Sequence, residues 1–439
     1  MDTIVAIASP PGVGAVSLIR LSGREAHALM RQATGKVLPE VRRASLRRIY
    51  DGEGLVLDEG VVTTFEGPRS FTGEDVVEFT GHGGVAVTVA VLGRFVELGA
   101  RPAEPGEFSE RAFLNGRMDL TQAEAIMDLI GAQTRLALRS ASEQLQGRLG
   151  QRCEEIRAAL LGTTAHLEAY IDFPEEDIDP EVGAALTEQL RTQKGEMEML
   201  LATADQGRLI REGVRTVIYG EPNVGKSSLL NRLLGYRRAI VNEQEGTTRD
   251  VIEEVISLRG IPLRLIDTAG VREAGDGIEK EGIDLTHDQV ERADLILHVR
   301  DLTRKGRKEL PLPKDVPVLP IFNKVDLVGE AEGPAEGVVL SALTGENFEV
   351  LEEEILKILS LDEGSWGQQS VAVNARHQAC LQRSVSGLNA ALRSLEDGEG
   401  PELVAVSLHE ALNAIGDISG TVDTEEILGE IFGSFCIGK

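Results

Sequence analysis

Along residues 1 to 118, short runs rich in Val and Ile (IVAIA, AVSLIRL, LVLDEGVVTTF, EDVVEFTG) alternate with breaks containing Gly and Pro. Runs of this length and composition predict strands. Only residues 85 to 98 carry apolar positions at clear helical spacing, so this stretch predicts an α+β domain. The texture changes at Thr121, where TQAE is a candidate capping box followed by Ile126, Leu129, Ile130 and Leu136 at helical spacing. Helix is expected to about residue 172, where Pro174 and the acidic EEDIDPE stretch end it, and again over about residues 181 to 210.

Between about residues 213 and 360, the apolar runs TVIYG, PLRLID, DLILHV and PVLPIFN alternate with helical segments. That is the pattern of a mostly parallel sheet covered by helices on both faces. Residues 370 to 396, 401 to 415 and 424 to 433 read as helix again. Helical segments flanking an α/β unit on both sides are most simply one all-α domain with the α/β domain inserted into it. The expected boundaries are 1–118 for the α+β domain, 119–212 and 363–439 for the two parts of the helical domain, and 213–362 for the inserted domain.

A chain of 439 residues with 42% apolar content can bury a sizeable core across several domains. Its net charge is −27, of which −2 falls on residues 1 to 118 and −25 on the remainder. That is the wrong sign for a protein whose affinity rests on neutralising phosphate backbones, so any nucleic-acid contact is expected to be local. Cys153, Cys380 and Cys436 are far apart and form no CxxC pair, which argues against a disulfide framework or structural zinc. No apolar run reaches the ~18 residues of a membrane helix. The start, MDTIVAIASPPG, lacks the basic region of a secretory signal. A soluble cytoplasmic protein is expected.

Gly220-Glu-Pro-Asn-Val-Gly-Lys-Ser227 matches GxxxxGK[ST] and stands between the strand TVIYG and the helical SSLLNRLLG, the context this motif requires. Backbone N–H groups of Asn223, Val224, Gly225, Lys226, Ser227 and Ser228 can then surround the phosphates at a helix N-terminus. Lys226 adds a positive charge, and the Ser227 hydroxyl suits Mg²⁺. Asp267-Thr268-Ala269-Gly270 closes PLRLI, where the Asp267 carboxylate can reach the Mg²⁺ shell through water and the Gly270 N–H the γ-phosphate. Asn323-Lys324-Val325-Asp326 closes PVLPIF. A carboxylate at Asp326 accepts both N–H donors of guanine, which adenine does not offer in that arrangement, so GTP and GDP are the expected ligands. Ser341-Ala342-Leu343 can supply a backbone N–H to the guanine carbonyl. In Gly246-Thr247-Thr248, either threonine can complete the Mg²⁺ shell. Val271 stands where Ras-like proteins place their water-positioning Gln and cannot replace it. The acidic stretch after it holds Glu273, Asp276, Glu279 and Glu281, among which pattern does not choose.

The chain closely resembles the MnmE (TrmE) tRNA-modification GTPases. The resemblance runs through TIVAIASPPGVGAVSLIRLSG, GEDVVEFTGHGG, ERAFLNGRMDLTQAEAI, GEPNVGKSSLLN, EGTTRD, DTAGVRE, NKVD and the terminal CIGK. It implies a Ras-like GTPase domain with Thr248 as the second Mg²⁺ ligand. Its GTPase domains would dimerise around a K⁺ ion held by Asn223, Asn242, Gln244 and Thr247, within the nucleotide-contacting loop Asn242-Glu243-Gln244-Glu245-Gly246-Thr247. The hydrolytic carboxylate it implies is Glu279.

For the N-terminal domain, the resemblance implies constitutive homodimerisation and a 5,10-methylene- or 5-formyl-tetrahydrofolate site at Arg20, Glu78 and Arg117. Lys439 would join that site, and Cys436 would serve the chemistry. The implied activity is addition of an aminomethyl or carboxymethylaminomethyl group at carbon 5 of the wobble uridine of certain tRNAs. It is shared with an MnmG (GidA)-type flavoprotein on which the tRNA mainly docks. Several members carry Lys where Arg117 stands, and Thr or Ser where Asn242 stands. The alternative, a ribosome-associated or regulatory GTPase without modification chemistry, usually brings a basic RNA-binding module, whereas residues 119 to 439 carry −25. His82, in GlyHisGlyGly, reads as a turn or core histidine.

Overall fold

The computed structural model describes residues 2–173, 184–237, 253–267, 289–304, 312–328, 336–359, 373–420 and 425–438. Contacts divide the chain into two compact units, one of Met1–Met127, Gly150–Arg157 and Ile415–Lys439, the other of Asp128–Leu149 and Ala158–Ala414.

The first unit begins with β1 (Ile4–Ile7), β2 (Gly14–Ser22), α1 (Ala26–Thr34), β3 (Ser45–Tyr50), β4 (Val56–Phe65) and β5 (Val76–Gly83). It continues with α2 (Val85–Glu97), β6 (Arg101–Pro102), α3 (Glu107–Leu114) and most of α4 (Leu120–Gly131). The strands form one sheet in the order β3-β4-β5-β2-β1-β6. All pairings are antiparallel except β1 with β6. In β5, Val77, Phe79 and Gly81 are buried while Glu78 and Thr80 are half-buried, the period of two that one covered face imposes. Ile19, Leu21, Phe79, Met30 of α1 and Phe95 of α2 form the core on that face.

Three helices stand where the pattern predicted one. α1 buries Ala26, Leu29, Met30 and Ala33 but is short, and Gly35 stops it in the left-handed conformation. α3 buries Arg111, an apolar-face position that no hydropathy pattern marks. The Arg111 guanidinium is satisfied by Glu107, Glu74 and Asp2, at 2.8, 3.1 and 2.8 Å. The capping box also moves by two residues. The Asp119 carboxylate accepts from the Gln122 N–H at 2.9 Å, and the Gln122 side chain accepts from the Asp119 N–H at 3.0 Å. Asp119 therefore caps α4, and Thr121 lies inside its first turn.

The second unit contains α5 (Arg135–Leu145), most of α6 (Arg148–Asp172), α7 (Ala184–Ala202) and α8 (Ala204–Glu212). Then come β7 (Val214–Tyr219), α9 (Lys226–Arg237), β8 (Glu253–Leu258), β9 (Ile261–Asp267), β10 (Leu295–Asp301), β11 (Val318–Asn323) and β12 (Val338–Val339). After these follow α10 (Phe348–Ile358), α11 (Ala375–Glu396) and most of α12 (Pro401–Ser419). The last helix, α13 (Glu425–Gly433), returns to the first unit, where Leu428, Phe432 and Phe435 pack with Leu120 and Ala123.

The second sheet runs β12-β11-β10-β7-β9-β8, parallel except for the β8–β9 hairpin. β8, the strand GluGluValIleSerLeu, has too few apolar positions to stand out in sequence. It is held by its pairing with β9, Ile256 opposite Leu263. β10 buries Leu295 through Val299 on both faces, as a central parallel strand does. Helix α7 packs along α11, with Arg191 paired to Glu396 at 3.3 Å, although the whole second sheet lies between them in the chain. That is the insertion the flanking helices predicted. Among the described residues, no helix is long and apolar enough to cross a membrane.

Phe79 is 1% exposed at the centre of the first core. Phe79→Ala is expected to destabilise the first unit by ~3–5 kcal/mol. Hydrogen exchange on the full chain should then show β2 and β5 amides losing protection. Protection equal to that of the native chain would mean the core closes over the lost ring.

Candidate functional site

β7 ends at Tyr219 and α9 starts at Lys226, so residues 220 to 225 form the turn that feeds a helix N-terminus. Asn223 takes a left-handed φ of 61°, a conformation Asn tolerates better than most residues. Gly225 has φ +100°, and a Cβ there would collide with the Asn323 side-chain amide, so glycine is required twice over. Asn323, at the end of β11, is 3% exposed. Its Nδ2 donates to the Val224 carbonyl at 2.9 Å, and its Oδ1 accepts from the Ala342 N–H at 2.9 Å. One side chain thus ties the phosphate loop to the loop expected to meet the base. The partners settle the orientation of the amide, since one end faces a carbonyl and the other an N–H.

Lys324 adds a second tie. Its Nζ donates to the Asn223 carbonyl at 2.9 Å and pairs with Asp301 Oδ2 at 2.7 Å. Asp301 closes β10 in register with Asn323 on β11. The Thr303 hydroxyl and N–H donate to Asp301 Oδ1 at 2.6 and 2.9 Å. Burial pushes the Asp301 carboxyl up, but the Lys324 ammonium and the Thr303 donors outweigh it and hold it at about 2. Asp301 escaped the sequence reading. The available signal was a carboxylate at the C-terminal end of the strand next to the Asn-Lys-Val-Asp strand, where α/β sheets bind ligands.

Around this frame, Ser227 and Ser228 are exposed in the first turn of α9. Lys226 Nζ donates to the Gly220 and Glu221 carbonyls at 3.0 and 2.9 Å. Asp326 is exposed in a short 3-10 turn, Val325–Leu327. Ser341 and Ala342 are buried, Leu343 is 77% exposed, and Ser341 Oγ accepts from the Thr344 N–H at 3.1 Å. Thus Asn223 to Ser228, Asn323 to Asp326 and Ser341 to Leu343 come together at the ends of parallel strands. A lysine, a glycine-lined turn and hydroxyls at a helix N-terminus suit a polyphosphate and its Mg²⁺. The backbone of Asp267 ends β9, opposite Ile218 of β7. Asn242, Glu243, Gln244, Glu245, Gly246, Thr247, Thr248, Thr268, Ala269, Gly270 and Glu279 lie outside the described residues.

In the first unit, Arg20 of β2 stands directly across from Glu78 of β5. Arg20 contacts Glu78 Oε1 through Nε at 2.9 Å and Nη2 at 2.8 Å. The Arg20 guanidinium lies 5.2 Å from the Phe71 ring centre and 5.7 Å from that of Phe108. Arg117 is exposed and donates to the Ser70 carbonyl at 3.2 Å. The Ser70-Phe71 stretch therefore joins all three predicted residues. A fixed cation over two rings, beside a carboxylate, suits an anionic ligand with a flat, donor-rich ring such as a folate. Phe71 and Phe108 were not foreseen, since a phenylalanine next to a turn reads equally as core.

The Cys436 side chain is exposed, and its carbonyl accepts from the Gly106 N–H at 3.5 Å, just before α3. Ile437 pairs with Pro105. Lys439 lies outside the described residues. His82 is not a core residue. Its side chain is 74% exposed, with Nδ1 2.6 Å from buried Asp58, whose hydrogen bond and charge raise the imidazole pKa.

Because the folded Asp301 carboxyl is depressed to about 2, its stabilising pull on Lys324 is complete above the unfolded carboxylate range near ~3.9. It is lost as pH falls from there through about 2. Asp301→Asn is expected to weaken nucleotide binding about tenfold in a fluorescence titration at neutral pH. An NMR titration of the native carboxyl with its midpoint at or above ~4 would refute this tie.

A family model described as GTP-binding protein TrmE N-terminus matches residues 3–117, and one described as MnmE helical domain matches residues 120–436. The tRNA modification GTPase MnmE of Akkermansia muciniphila is 49% identical, covering 100% of this chain and 99% of its own. Proteins of the same name from Acinetobacter baumannii and Nitrosomonas europaea are 44% and 42% identical, covering 100% of this chain and 98% and 99% of theirs. The G domain of the T. maritima FeoB iron transporter aligns with 33% of this chain and 96% of its own, at 25% identity and a TM-score of 0.24. Two domain models in sequence and relatives matched end to end at this identity make the chain a member of the MnmE family of tRNA modification GTPases.

Proposed function

We propose that this chain hydrolyses GTP in the service of tRNA modification. With an MnmG-type flavoprotein partner, it adds an aminomethyl or carboxymethylaminomethyl group at carbon 5 of the wobble uridine, drawing the carbon from a tetrahydrofolate. One observation carries the reading. A chain related end to end to tRNA modification GTPases keeps both a braced nucleotide frame at Asn323 and a cation-carboxylate pair over two rings at Arg20 and Glu78.

In the nucleotide site, the α9 N-terminus and Lys226 bind the phosphates, Asp326 selects guanine, and the Leu343 N–H orients the base. Ser227 and Thr248 would hold Mg²⁺, and Asn223, Asn242, Gln244 and Thr247 would hold K⁺. Bound there, Mg²⁺ would neutralise charge on the phosphate oxygens and K⁺ would supply positive charge to the transition state of phosphoryl transfer, the part an arginine finger plays elsewhere. Glu279 orients the attacking water that Val271 cannot. In the first unit, Arg20, Arg117 and Lys439 bind the anionic tail of the folate and Glu78 its ring donors. Cys436 stands available to the transfer chemistry. A homodimer, a cytoplasmic setting and tRNA docking mainly on the flavoprotein complete the proposal, in keeping with a surface of net charge −27.

In cells lacking this chain, nucleoside analysis is expected to show wobble uridines without the carbon-5 group, restored by the native chain and not by Arg20→Ala. Wobble uridines intact in those cells would leave a regulatory GTPase as the better reading. GTP turnover is expected to be at least tenfold faster in KCl than in NaCl and to fall ~10²-fold or more in Glu279→Ala. Equal rates in the two salts, or full turnover by the variant, would remove the cation and the carboxylate from the mechanism.

A further inference from the structure

The Ser341-Ala342-Leu343 loop is held from below by Asn323, but it also has an outer brace from a helix to which neither motif belongs. Arg232 sits two turns into α9, whose first turn receives the phosphates. Its guanidinium donates to the Thr344 carbonyl and lies 5.9 Å from the centre of the Phe348 ring. At Gly345 the backbone takes φ +88°, and a Cβ there would strike the same guanidinium. The loop closes on itself tightly. Gly345 N–H donates to the Ser341 carbonyl at 2.8 Å, Ser341 N–H to the Glu346 carbonyl at 3.2 Å, and Phe348 N–H to the Gly345 carbonyl at 3.4 Å. Arg232 therefore meets this loop on the carbonyl of Thr344, the missing side chain of Gly345 and the ring of Phe348.

We propose that Arg232 is a positioning residue for guanine recognition. It locks the base loop to the phosphate helix, so that the loop and its Leu343 N–H are already set when the base arrives. Such preorganisation lowers the ordering cost of binding, and the effect belongs to the base end of the ligand and not to its phosphates. The inference rests on the reading that guanine seats between Asp326 and this loop.

The test uses the full chain and isothermal titration with GDP and with inorganic pyrophosphate, both with Mg²⁺. Arg232→Ala is expected to weaken GDP about tenfold while leaving pyrophosphate within about twofold, and Arg232→Lys to recover part of the loss. Gly345→Ala, which displaces the guanidinium, should repeat the Arg232→Ala pattern. GDP affinity unchanged in Arg232→Ala, or equal losses for GDP and pyrophosphate, would overturn the proposal. Asp326→Asn separates the two readings, since it should abolish GDP binding and admit xanthosine diphosphate. If it leaves GDP binding intact, the guanine seat itself is wrong. If Asp326→Asn switches the base and Arg232→Ala has no effect, only the role of Arg232 fails.

Discussion

A single buried amide carries the nucleotide frame. Asn323 spends both ends of its side chain on backbone groups of other loops, the Val224 carbonyl on one side and the Ala342 N–H on the other. At 3% exposure it has no water to fall back on, so losing either partner would leave a polar atom unsatisfied in the interior. The phosphate loop, the base loop and the end of β11 can therefore hold only one mutual arrangement. The remaining ties extend this constraint. Lys324 anchors Asn223, Asp301 anchors Lys324, and Thr303 anchors Asp301.

The two units use one device in different materials. In each, a cation is fixed by a carboxylate before any ligand is considered: Lys324 by Asp301, Arg20 by Glu78. A cation fixed in this way loses little further freedom when an anion approaches. The surroundings differ with the task. Asp301 is buried and hydrogen-bonded all round, which suits a strut, whereas the Arg20 pair lies partly open between Phe71 and Phe108, which suits a ligand seat.

What could be read in advance, and what could not, follows from how each feature is encoded. Strand β10 and the phosphate turn are local patterns, a continuous apolar run and a fixed spacing of Gly and Lys, so both were visible. Helix α3 was not, because its buried face holds Arg111, whose burial depends on Glu74 and Asp2 far away in the chain. The cap of α4 was misplaced from Asp119 to Thr121 because both residue types cap helices and only the hydrogen bonds distinguish them. Asp301, Arg232, Phe71 and Phe108 are functional or supporting positions of ordinary residue type, with no spacing rule to mark them.

The amino-acid sequence by itself determined the class of each domain, the identity of the nucleotide motifs and the family, because periodicity and motif spacing are properties of neighbouring residues. Tertiary structure alone decided that Asn323 meets Val224 and Ala342, that Asp301 stands behind Lys324, and that Arg20 lies over two rings opposite Glu78. Those contacts join residues 99, 19, 23 and 58 positions apart. They exist because sheet register places strand ends side by side, a relation fixed by the packing of whole strands and helices and not by any one segment.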